Sequence, residues 1–74
     1  MIIPDVLAPK VVAALKDMGA DLSPGSVTLA QGIFNGKFVL FVQAGEFVEI
    51  ICRHEATYQQ IRQIVALLFG EDKQ

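Results

Sequence analysis

From Ser26 to Arg53 the chain runs two apolar tracks at once. Val27, Leu29, Ile33, Phe38, Leu40, Val42, Phe47 and Ile51 make one; Ala30, Phe34, Val39, Phe41, Val48, Ile50 and Cys52 make the other. Successive side chains of a strand point to opposite faces. A sheet built from this segment is therefore apolar front and back, whereas a small antiparallel sheet ordinarily keeps one face polar and wet.

Two turn signals cut the segment into strands. Asn35-Gly36 suits a type I′ hairpin, which needs positive φ at both central residues. Ala44-Gly45 reads as a second two-residue turn. The strands are then expected at Val27–Phe34, Lys37–Gln43 and Glu46–Cys52, as an antiparallel meander. In that register Phe34 faces Lys37, Ile33 faces Phe38, Gln31 faces Leu40, and Leu29 faces Val42. Across the second turn Val42 faces Phe47, Leu40 faces Glu49 and Phe38 faces Ile51.

A helix is expected on either side. Over Asp5–Met18, Leu7, Val11, Leu15 and Met18 share one face. Asp5 suits the N-cap, Pro9 falls in the first turn, and Gly19 suits the C′ position. Ala20–Gly25 reads as a loop. Over Glu55–Phe69, Tyr58, Ile61, Ile64, Val65 and Leu68 make the apolar stripe, Thr57 and Gln60 have capping-box spacing, and Gly70 ends the helix. The expected fold is one small α+β domain over residues 1–74: helix, three-stranded antiparallel meander, helix (αβββα), with a polar tail at 71–74. Both helices are expected on one face of the sheet, the one carrying Ala30 and Gly32, where small residues let a helix sit close.

That leaves the other face uncovered. Its members, Leu29, Gln31, Ile33, Phe38, Leu40, Val42, Phe47, Glu49 and Ile51, are the candidate interface residues. Burying each large apolar side chain is worth about 1.5–3 kcal/mol. A 74-residue domain is marginally stable. The expected partner is a second copy of the chain, or another protein. Gln31 and Glu49 could hydrogen-bond across a two-fold axis, since a buried carboxylate needs a partner.

Composition excludes several functions. Hydrophobic residues make up 53% of the chain and charged residues 19%, which is not the balance of a disordered segment. The net charge is −2, and Lys10, Lys16, Lys37, Arg53, Arg62 and Lys73 are far apart in sequence. Nucleic-acid binding, which draws on clustered cations, is not expected. No apolar run is long enough to span a bilayer, and Met1–Asp5 lacks the basic start of a signal peptide, so the expected location is cytoplasmic. The size and acidity suit a bacterial or phage accessory protein.

Cys52-Arg53-His54 is the one cluster with reactive groups. A cysteine nucleophile needs a base brought to it, while a lone Cys in a strand is ordinarily a small core residue. His54 suits the corner where strand enters helix. No metal, cofactor or catalytic set is expected: one Cys, one His and Glu55 in a row fall short of known ligand spacings. The helix–three strands–helix order resembles that of double-stranded-RNA-binding domains, which implies an RNA-associated alternative. Those domains carry a lysine cluster at the start of the last helix, where this chain has His54-Glu55-Ala56-Thr57-Tyr58-Gln59-Gln60. The expected function is a small non-catalytic protein–protein interaction module, a homodimer or an adaptor or inhibitor. A small enzyme using Cys52 and His54 is the last alternative.

Overall fold

The computed structural model describes residues 1–72, with side chains described through Gly70. The expected tail therefore lies partly outside the described residues. The protein is α+β, with a five-stranded antiparallel sheet and two helices. The strands are β1 (Ile2–Pro4), β2 (Asp21–Ser23), β3 (Ala30–Phe34), β4 (Lys37–Ala44) and β5 (Phe47–Ile51). The helices are α1 (Ala8–Asp17), preceded by a 3-10 turn over Asp5–Leu7, and α2 (Glu55–Asp72). The sheet order is β1-β5-β4-β3-β2.

The expected αβββα order is thus corrected to five strands. The two extra strands flank the meander, and both are only three residues long. Too short to carry a period of their own, they are held by longer neighbours. β1 pairs with β5, and the ladder extends past its ends through Ile50 N–H to the Met1 carbonyl (2.7 Å) and Asp5 N–H to the Glu46 carbonyl (2.9 Å). Pro4 is tolerated because an edge strand has an outer side that needs no donor. β2 occupies what reads as loop, pairing Leu22 with Gly32. Residues 26–29 form bends, so β3 begins at Ala30, not Val27.

The Asn35-Gly36 hairpin has the register expected of it, Phe34 with Lys37 through Gln31 with Leu40. Both turn residues have positive φ, 55° and 73°. The second turn is Gly45-Glu46, not Ala44-Gly45: Ala44 pairs with Phe47, Val42 with Glu49, and Leu40 with Ile51. Gly45, at φ 62°, is the only one of the pair with positive φ, the pattern of a type II′ turn with glycine first. Sliding the turn by one residue shifts the pairing by two, so every side chain keeps its face.

One face of the sheet holds the core. Ile3, Leu22, Ala30, Phe34, Val39, Phe41, Val48 and Ile50 form a single buried cluster with Leu7, Ala8, Val11 and Leu15 of the first helical segment and Ile61 of α2. Both helices therefore pack on the Ala30 face. α1 closes in a Schellman motif: Ala20 N–H reaches the Leu15 carbonyl (2.9 Å) and Gly19 N–H the Lys16 carbonyl (3.0 Å), with Gly19 at φ 96°. Its start differs from expectation. Asp5 makes no cap with its side chain; its carboxylate accepts a long bond from Gln43 Nε2 (3.4 Å). At the other end, α2 runs through Gly70 to Asp72.

Candidate functional site

Among the described residues no element lies over the opposite face of the sheet. From β1 across to β2 its side chains form rows: Pro4, Phe47 and Ala44; Ile2, Glu49 and Val42; Ile51, Leu40, Gln31 and Ser23; Phe38, Ile33 and Asp21. The face is mostly apolar and open to solvent. Phe38 is 56% exposed, Phe47 51% and Ile33 44%. Leu40, Val42, Ile51 and Gln31 are half-buried by their neighbours, and Glu49 is exposed. Leu29 lies just ahead of β3, its N–H on the Phe41 carbonyl (2.8 Å), and is also exposed. Eight of the nine candidate residues thus lie on this face; Leu29, which stands outside the β3–β4 ladder, instead lines a hollow on the helix side with Leu22 and Ala30. Sequence reasoning missed Ile2, which at 69% exposure enlarges the face on β1. The signal for it was the Ile2-Ile3 pair ahead of Pro4, one side chain for each face of an added strand.

Two polar groups interrupt the face. Gln31 sits near the β2 side, its Oε1 accepting from Thr28 Oγ1 at 2.9 Å. Glu49 lies between Ile2 and Val42. At one end of the face a shallow groove of about 630 Å³ is lined by Phe38, Leu40 and Ile51 together with Lys37, Arg53 and His54. A second hollow of about 330 Å³ separates α1 from the β2 edge, against Val12, Leu22 and Leu29.

The Cys52–His54 cluster does not assemble as a nucleophile and base. The Cys52 thiol lies 3.8 Å from the His54 carbonyl oxygen, not from its ring. The ring turns toward α2. Nδ1 accepts the Thr57 backbone N–H (3.3 Å) and lies 2.9 Å from the Thr57 hydroxyl. His54 is therefore the N-cap of α2, an arrangement in which Nδ1 offers its lone pair and the ring hydrogen sits on Nε2. The expected pairing of Thr57 with Gln60 is replaced: Thr57, nearly fully buried, answers His54, while Gln60 accepts from Asn35 Nδ2 (2.7 Å) and ties the first hairpin to α2. Replacing His54 with Ala is expected to cost about 1 kcal/mol, and His54→Ser to restore most of it. Urea midpoints check this; an alanine variant as stable as the parent would show the cap to be idle.

The five described basic residues spread over α1, the start of β4, the end of β5 and α2. Among the described residues no three His, Cys, Asp or Glu side chains stand together as a metal site, and no helix is long and apolar enough to cross a membrane. Comparison with known protein families, curated proteins and solved structures finds no match to this chain.

Proposed function

We propose that this protein is a non-catalytic interaction module that works as a homodimer, two copies packing their open sheet faces together. The observation that carries this reading is the uncovered apolar face built by β1, β3, β4 and β5, with Phe38 and Phe47 half exposed at its ends. Two grounds favour a second copy as the occupant.

The first is size. Five strands at a spacing of about 4.8 Å span roughly 19 Å, and the longest strand, at about 3.3 Å per residue, runs roughly 26 Å. Over five strands of three to eight residues, two such faces pressed together bury on the order of 1,000 Å² in total, at the lower limit of specific protein interfaces. Left open, the face matches the largest apolar patches that monomers carry.

The second is shape. A twisted sheet fits another sheet of the same twist, stacked about 10 Å away with strands aligned within roughly 30°, as in β-sandwiches. A two-fold pair supplies that match from one sequence, and two-fold dimers are the commonest assembly. Face-to-face packing also leaves the short edges β1 and β2 as they are, and three-residue edges resist further strand addition.

Light scattering at two concentrations tests the proposal. The expected result is twice the chain mass of 8.1 kDa at the higher concentration, falling toward a single chain on dilution. A single-chain mass at both concentrations overturns it, and a mass restored only with a different protein transfers the face to that partner.

A further inference from the structure

We infer that the two-fold axis of the dimer runs across the strands at the row Ile51–Leu40–Gln31, so that Glu49 of each copy pairs with the partner's Arg53. The inference rests on the homodimer proposed above and sets its geometry.

A two-fold axis that packs a face against itself must lie in the plane between the faces. With the strands of the two sheets aligned, it runs close to the strand direction or close to its perpendicular, and Glu49 decides which. It is the one carboxylate in the interior of the face, between Ile2 and Val42. Closing two apolar faces over it takes it out of water, which is costly without an opposite charge. An axis along the strands, over the central β4, lays β5 over the partner's β3. The face-side positions there are Gln31 and Ile33, and neither is a cation.

An axis across the strands lays β5 antiparallel over the partner's β5. Its face-side positions read Phe47, Glu49, Ile51 and, just past the strand end, Arg53. Arg53 lies two residues past Ile51, in step with the alternation of Glu49 and Ile51, and lines the groove at the end of the sheet with Phe38, Leu40 and Ile51. Glu49 and Arg53 are two residues either side of Ile51. An axis over Ile51 therefore sets each against the other's counterpart, and symmetry makes the pair twice. Neither residue makes an ion pair within its own chain among the described residues. Glutamate and arginine side chains reaching toward each other span the ~10 Å between packed sheets.

The same axis satisfies the rest of the row. Leu40 pairs with Ile51, and Gln31 with Leu40, so all three lie along it. Gln31 then meets its own copy. Its Oε1 already accepts from Thr28 but has a second lone pair, and its Nε2 is left to donate to the partner's amide oxygen. Phe38, one row beyond the axis, falls over Val42 one row before it, and the exchange repeats on the other side.

The test is a charge swap read by sedimentation equilibrium on the full chain, with circular dichroism confirming that each variant folds. Glu49 and Arg53 are exposed in the single chain, so substitution there leaves the core untouched. Glu49→Arg and Arg53→Glu are each expected to weaken the dimer at least about 30-fold, because each sets like charges together twice. Carrying both substitutions on one chain is expected to restore association to within about 3-fold of the parent, since each copy then presents the reversed pair. A parent that sediments as a single chain overturns the homodimer itself. A dimeric parent whose double variant stays as weak as the singles, or whose singles associate normally, overturns only the placement of the axis.

Discussion

Leu40→Glu is expected to leave the fold intact and abolish the dimer. Leu40 lies mid-strand on β4, the central strand of the sheet, and points away from the core. In a single chain it is half-buried by its row neighbours Ile51 and Gln31, so a glutamate there keeps its carboxylate in water. The helix-side core, with Val39 and Phe41 on either side in sequence, is not touched. In the dimer the position falls on the two-fold axis, where two carboxylates would face each other between apolar surfaces. Unpaired buried charge costs several kcal/mol, and each 1.4 kcal/mol is a tenfold change in dissociation constant. The expected rise in dissociation constant is therefore at least about 100-fold, with the unfolding free energy from urea titration at low protein concentration lowered by less than about 1 kcal/mol. A variant that dimerises like the parent would place the interface elsewhere. The exposed Leu67 on α2 would be the next apolar group to test.

Gly32→Ala is the substitution expected to damage the monomer most for its size. Gly32 sits in β3 opposite Leu22 of β2. A Cβ added there runs into the carbonyl oxygen of Asp21 and comes within 3.1 Å of Leu22 Cα. Both are backbone atoms, so no side-chain rotation relieves the clash. β2 must move off β3, which breaks a three-residue ladder and uncovers Leu22, one of the core residues. Lost burial of a leucine is worth about 1.5–3 kcal/mol, and the broken ladder adds to it, so a loss of about 2–4 kcal/mol is expected. Urea unfolding measures the total, and hydrogen exchange of the β2 and β3 amides shows where it arises. A loss under about 0.5 kcal/mol would mean that β2 does not lie against Gly32. Alanine at Gly19 tests a different property: that site has open space around it, but its φ of 96° suits glycine alone, so the cost there is conformational and smaller.

The contrast between these positions also marks where the amino-acid sequence is legible. Asn35-Gly36 admits one turn type, and the register that follows from it is the one observed. Ala44-Gly45-Glu46 admits two, because glycine serves as either central residue of a tight turn, and the backbone takes it first. The two apolar tracks are readable despite that slip, since the register moves by an even number. β1 and β2 are not readable: three residues carry no period, and what defines them is the hydrogen-bonding edge that β5 and β3 present. Gly32 reads as room for a helix to sit close, but what its missing side chain admits is the backbone of β2. Its neighbour Asp21 could not be named without the chain path. His54 shows the same limit. A corner residue between strand and helix is expected to help start the helix, but histidine is not a common N-cap. Only the position of Thr57 reveals that its ring, rather than the Thr57–Gln60 spacing, closes the first turn.

The most direct measurement of the central claim is an isotope-filtered NOE experiment on an equal mixture of labelled and unlabelled chains, which reports only contacts between copies. The proposal requires cross-copy signals from Leu40, Ile51 and Gln31 to themselves and from the Phe38 ring to Val42 methyl groups, with none from Val39 or Phe41 on the covered side. Cross-copy signals confined to α2 or to the edges β1 and β2, or none at a concentration where both faces should be occupied, would contradict it.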